Sequence, residues 1–275
     1  MEILYKKNHY NQILAVERFY SQYTFDKNSK TEDIRGGVMS IFGNKIKTEE
    51  EIKYEVIKKL KKQGISYSEE FLNEIKLNNI TLKNVEDVKK RALASMLAIQ
   101  LACSINNGEN YGDSLMFILQ QSASWSLSID DFLPKEKLLL HNKYTQADNE
   151  NLFTQQDIID IVWTYEAYWS VIWALDLITD KEIVDASKLC NTERAMCISG
   201  LIPGMNLERL RSIDKIKEKV YLFDCYHWAF TEKNNNPNIS TGDLNFEVVI
   251  ERRRGLEWII HEEKDWNNNV LIQHY

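Results

Sequence analysis

The sequence predicts a mainly α fold: a single helical domain over residues 48–275, with a small α+β extension over residues 1–47. Three observations predict it. From Thr48 onward apolar residues recur with the helical period almost throughout. Helix-start signals recur, as Thr48-x-x-Glu51, Asn84 and Thr154-x-x-Asp157. Stop signals follow them, with Gly64 closing the first helix and Asn107-Gly108 the second.

Before Thr48 the pattern differs. Ile3-Leu4-Tyr5 reads as a short strand, Tyr10–Tyr23 as a helix, and Val38–Phe42, after Gly36-Gly37, as a second strand. The first helix of the main domain then runs from Thr48 to near Gly64, and Asn84 opens another that reaches about Asn106. A third spans roughly Asp113–Ser124, and a short one starts at Ser128. Asn142–Leu152 is polar and reads as a loop. The strongest pattern is Gln155–Ile178. Thr192 starts a helix that stops before Pro203-Gly204, and Leu207–Thr231 reads as two helices in succession. Glu232–Leu244, with its Asn234-Asn235-Asn236-Pro237, is a loop before a last helix at about Asn245–His261.

Composition narrows the function classes. A chain of 275 residues, 44% hydrophobic and 27% charged, is an ordinary globular protein of one large domain or two small ones. The net charge of −7 lacks the field that draws phosphate backbones, so nucleic acid is not expected as a partner. The basic run Lys58-Lys59 with Lys61-Lys62 is interleaved with Glu49, Glu50, Glu51 and Glu55, as on a solvated helix face. Among Cys103, Cys190, Cys197 and Cys225 there is no CxxC pair, and Cys103 and Cys197 sit in apolar helical contexts that suit buried, inert thiols. The start has no apolar core or cleavage site, and no window approaches a membrane span, so a cytoplasmic location is expected.

The helix Gln155–Ile178 carries the candidate chemistry. Ile158, Ile161, Val162, Tyr165, Trp169, Ile172 and Trp173 share one face, and Ala167, Val171, Ala174 and Ile178 cover the other. A helix apolar nearly all round is a central one. Glu166, at the edge of the first face, needs partners if buried. Arg91, in a stripe with Ser95, Ala98 and Ala102, is one candidate, since a guanidinium holds a carboxylate in two places. Arg252 and Arg253, flanking the stripe Val249, Leu256 and Ile260, are others.

The P-loop, GxGxxG, GxSxG, HExxH and EF-hand patterns are absent, and neither a metal nor another cofactor is expected. His227, inside Tyr226-His227-Trp228, reads as a core histidine or as a general base. Glu166 reads as a structural ion pair or as an acid–base group. Trp163, Trp169 and Trp173 read as core packing or as a stacking platform. Arg91, Glu166, Trp169, Trp173, His227, Trp228, Arg252 and Arg253 therefore form either a pocket or a buried ion-pair network.

Four blocks resemble the bacterial family known as domain of unknown function 4272. They are Val56–Ile65, Val88–Ala94, Trp163–Ala167 with Val171–Leu175, and Tyr226–Ala229 joined to Glu251–Ile259. Together they cover about residues 51–275. The chain departs from the family at Asp176, where Gly is frequent, at Cys225, where Arg is frequent, and in the tail Asp265–Asn269. The resemblance implies a mostly helical fold and no established activity.

Two functions compete. One is a non-catalytic protein-binding module, of the immunity or antitoxin type, whose acidic surface and aromatic anchors suit a basic partner. The alternative is an enzyme or anionic-ligand binder using the tryptophan-lined Glu/Arg/His set. The oligomeric state is open.

Overall fold

The computed structural model describes residues 47–77, 80–141 and 153–261, and among them the chain forms ten α-helices and no strand. The expected strand–helix–strand element before Thr48 and the loop over Asn142–Leu152 lie outside the described residues. The helices are α1 (Glu49–Gln63), α2 (Glu69–Glu74), α3 (Val85–Asn106), α4 (Tyr111–Ser124), α5 (Pro134–Leu140), α6 (Gln155–Ala174), α7 (Asp180–Val184), α8 (Thr192–Leu201), α9 (Ile213–Lys233) and α10 (Phe246–Ile260). Two single 3₁₀ turns, Ile129–Asp131 and Ile202–Gly204, join them.

Helix α6 is the centre, as its sequence predicts. Every residue from Thr164 to Ala174 is buried, and α6 packs on α3 along one side and on α10 along another. The α3 stripe Arg91, Ser95, Ala98 and Ala102 is wholly buried. The α6–α10 crossing is closer still. A Cβ added at Gly255 would lie 2.4 Å from the Ala167 carbonyl oxygen, so only glycine permits this approach. Ser170 Oγ donates to the Arg252 carbonyl at 2.8 Å across the same crossing. Helix α9 then packs on α10 and α1.

Four helices end in the same way. After α1, α3, α4 and α6, the residues Gly64, Gly108, Ser126 and Asp176 take positive φ values of 66°, 74°, 57° and 64°. The next N–H then reaches back, Leu177 to the Ile172 carbonyl at 3.0 Å and Glu109 to the Ser104 carbonyl at 3.0 Å. Asp176 is the position where the resembled family often has Gly. Its left-handed backbone is one that glycine adopts without strain.

Three expectations are corrected. The helix expected to reach Ile178 stops at Ala174, because Asp176 turns the chain and Arg211 caps its carbonyls, Nε to Trp173 at 2.7 Å and backbone N to Ala174 at 2.8 Å. The same capping holds Met205–Arg211 out of a helix, so Leu207–Thr231 contributes one helix, α9, and not two. Cys197 is exposed. The buried side of α8 is Ala195, Ile198 and Ser199, and Cys197 sits roughly 200° from Ala195. The short helices α2 and α7 were not expected. Ser68 and Thr179 cap them, accepting from the Phe71 and Glu182 amides.

Candidate functional site

Helix α10 carries Arg252, Arg253 and Arg254 in succession, so the three side chains leave in three directions. Each meets a different carboxylate. Arg252 Nε donates to Glu166 Oε2 of α6 at 2.9 Å. Its Nη1 donates to the carbonyls of Ile183 and Asp185, at 2.9 and 2.8 Å. Glu166 Oε1 accepts the Cys190 amide at 2.7 Å. One ion pair thereby ties α6, α10 and the segment after α7 into a unit with no open side: Arg252 and Glu166 are each 1% exposed. The Cys190 thiol beside them is pushed well above its ordinary range by burial, with Glu166 adding to the rise.

Arg253 turns to α9, where Nε donates to Asp224 Oδ1 at 2.6 Å. Its Nη2 also lies 2.8 Å from Glu257 Oε1. The angle there is not that of a hydrogen bond, and neither Glu257 oxygen is hydrogen-bonded. Burial raises the Glu257 carboxyl to about 8 against the pull of Arg253, with Asp224 adding to the rise. Arg254 Nη1 lies 3.0 Å from Glu251 Oε1. Burial raises Glu251 to about 7, Arg254 opposing and Asp160 and Glu166 adding to it.

Arg91 does not reach Glu166. Its Nη2 lies 2.7 and 2.6 Å from the two oxygens of Glu136 on α5, Nε donates to Ser95 Oγ at 2.9 Å, and Nη1 to the Asp131 carbonyl at 3.1 Å. Trp169 is buried and offers Nε1 to the Glu182 carbonyl at 3.4 Å. Trp173 is buried and donates Nε1 to Asp180 Oδ1 at 2.9 Å, with Arg211 and Lys219 against its ring. His227 is half-buried and stacks on Phe246. Burial pushes its imidazole down to about 4, and Arg253 pushes it further the same way. Trp228, also half-buried, stacks on Phe71 of α2. The structure thus gathers Glu166, Arg252 and Trp169 in one place, His227 and Arg253 in a second, and Arg91 in a third.

Sequence reasoning missed Glu136, Asp224, Glu251 and Glu257, the carboxylates that complete these groups. Glu136 had a usable signal: it stands at the third position of a helix beginning with Pro134, where a carboxylate folds back onto the Leu133 amide, here at 2.8 Å. Lys219 was missed too. It is 0% exposed, 3.3 Å from Glu218 and 3.4 Å from Asp180, and burial pushes its ammonium down, with Lys59 adding to that. Among the described residues no His, Cys, Asp and Glu cluster is disposed to hold a metal ion. An open hollow of about 520 Å³ lies elsewhere, lined by Gly64, Ser66, Tyr67 and Ile239, and none of the sequence-predicted site residues lines it.

Residues 52–269 match the family described as Domain of unknown function (DUF4272), and the chain belongs to that family. No curated protein and no solved structure matches it.

Proposed function

We propose that this member of the family is a non-catalytic protein-binding module of the bacterial cytoplasm, immunity- or antitoxin-like, whose partner is a basic protein. The observation that carries the proposal is on α1. Tyr54 is 66% exposed, the most among the large apolar side chains described, and it stands one turn from the exposed Glu50 and Glu51. An exposed tyrosine supplies contact area at small entropic cost; the carboxylates one turn before it favour a cationic group there, while the exposed Lys58 lies one turn after it. The alternative, an enzyme or anion-binding pocket, draws less support, because Glu166 and Arg252 are committed to one another and to backbone groups. No helix among the described residues is long and apolar enough to cross a membrane.

Native mass spectrometry of the protein purified gently from its own host tests this. It should carry one basic protein in fixed stoichiometry, and Glu50→Gln with Tyr54→Ala should release that protein while helix content stays unchanged. Chains that arrive without any second protein, or with a bound small molecule instead, would sink the reading.

A further inference from the structure

The apolar surface of helix α4 extends well past the side it buries. Tyr111, Ile118 and Ser122 are buried, and α4 packs on α3. Roughly 110° round the helix, Gly112, Met116, Leu119 and Ala123 are spaced four, three and four apart, which places them in an arc of roughly 60°. All four are exposed, Met116 by 61% and Leu119 by 48%. A surface helix ordinarily turns charged residues outward, yet α4 holds one charge, Asp113, in 14 residues. A four–three spacing of apolar residues is the seam by which one helix packs along another.

We propose that this seam pairs with the same seam of a second copy of the chain, running antiparallel about a twofold axis between residues 117 and 118. Two features favour that occupant. The seam reads small, large, large, small, so it is its own complement in reverse. Gly112 then meets the second copy's Ala123, and Met116 meets its Leu119. Charge points the same way. In a chain of net charge −7 most faces repel a second copy, while this one carries almost no charge. The antiparallel arrangement sets the two Asp113 side chains more than ~13 Å apart along the axis, beyond the ~8 Å screening length of physiological salt. A parallel pair would set them side by side. A basic partner would find a single carboxylate here to pair with.

The inference is independent of the Tyr54 surface on α1. Sedimentation equilibrium of the full chain tests it. The wild-type mass should approach twice 32.3 kDa. Met116→Glu and Leu119→Lys should each give a monomer with an unchanged circular dichroism spectrum. Mixing the two variants should restore the dimer, because the two substituted positions face one another across the axis. A monomeric wild type overturns the proposal, and so does a dimer that both variants keep. A mixture that stays monomeric overturns the antiparallel register.

Discussion

Glu166 and Glu257 are both buried, at 1% and 0% exposure, and each lies against an arginine of the same run on α10. Their surroundings differ in one respect. Both oxygens of Glu166 accept hydrogen bonds, one from Arg252 and one from the Cys190 amide. Neither oxygen of Glu257 accepts any, and its carboxyl is raised to about 8. An adjacent guanidinium at 2.8 Å does not offset burial unless its N–H groups are aimed at the oxygens. The α6–α10 crossing is therefore built to hold one charge pair, whereas the α9–α10 crossing holds the Arg253–Asp224 pair and, beside it, a Glu257 carboxyl that burial biases toward its protonated form.

The comparison breaks most directly at Arg252. Arg252→Met keeps the bulk but leaves Glu166 with one donor and strands the carbonyls of Ile183 and Asp185. Removing one partner of a buried pair costs about 3–5 kcal/mol, to be read as a lower urea midpoint. Glu166→Gln should cost less, since its amide oxygen can still accept from one donor. If Arg252→Met loses less than about 1 kcal/mol, water reaches Glu166 and the two crossings are alike.

The next effect is steric. Gly255→Ala puts a Cβ 2.4 Å from the Ala167 carbonyl, an atom that cannot move aside without shifting α6. Overpacking of this kind costs roughly 1–3 kcal/mol. It should also stretch the Ser170–Arg252 hydrogen bond and weaken the Glu166–Arg252 pair with it. A double variant, Gly255→Ala with Arg252→Met, should therefore lose less than the sum of the two single losses. Strict additivity would mean that the close approach and the ion pair are unconnected.

What the sequence makes legible follows from whether the signal is local. Helices α1, α3, α6 and α10 could be read because their caps and apolar periods lie within the helix itself. Asn84 and Thr154 accept from amides three residues on, and Gly64 and Gly108 mark left-handed turns that glycine alone adopts freely. Ser126 and Asp176 make the same turn without a glycine, so the end of α6 was misplaced by four residues. The partners of the site residues were hidden for a different reason. Arg91 meets Glu136 and Arg253 meets Asp224 through tertiary packing, and no spacing within one helix encodes that. The family resemblance had located the helices that carry Glu166 and Arg252. The structure supplied the pairing.

Titration sharpens the comparison, with a smaller effect. The folded carboxyl of Glu257 is raised from the ordinary 4.5 to about 8, so between those values the unfolded chain is ionised and the folded chain keeps the proton. Stability from this group is fully present below pH 4.5, falls as pH rises, and levels off above about 8. Glu251 adds a parallel loss that ends at about 7. Because an under-bonded carboxyl can admit water once ionised, the loss should be on the order of 1–2 kcal/mol. Glu257→Gln should match the wild type at pH 4 and exceed it at pH 8 in urea midpoints. Parallel profiles would show that Glu257 is ionised throughout and that burial does not hold its proton.

The smallest effect belongs to His227, one turn from Asp224 on α9. Its imidazole is lowered from the ordinary 6.5 to about 4 by burial and by Arg253. Here the unfolded chain takes the proton first, so stability is present above pH 6.5 and is lost as pH falls toward 4. This slope opposes those of Glu257 and Glu251 between pH 4.5 and 6.5; above 6.5 those two remain, Glu251 to about 7 and Glu257 to about 8. A stability profile of the wild type should therefore be flatter on the acid side of pH 6.5 than on the alkaline side. His227→Gln removes one arm. Since His227 is half-buried and stacked on Phe246, the change at pH 7 should be about 1 kcal/mol or less, and the variant should gain on the wild type as pH falls to 5. If instead both proteins lose stability equally on that side, neither burial nor Arg253 disfavours the imidazolium.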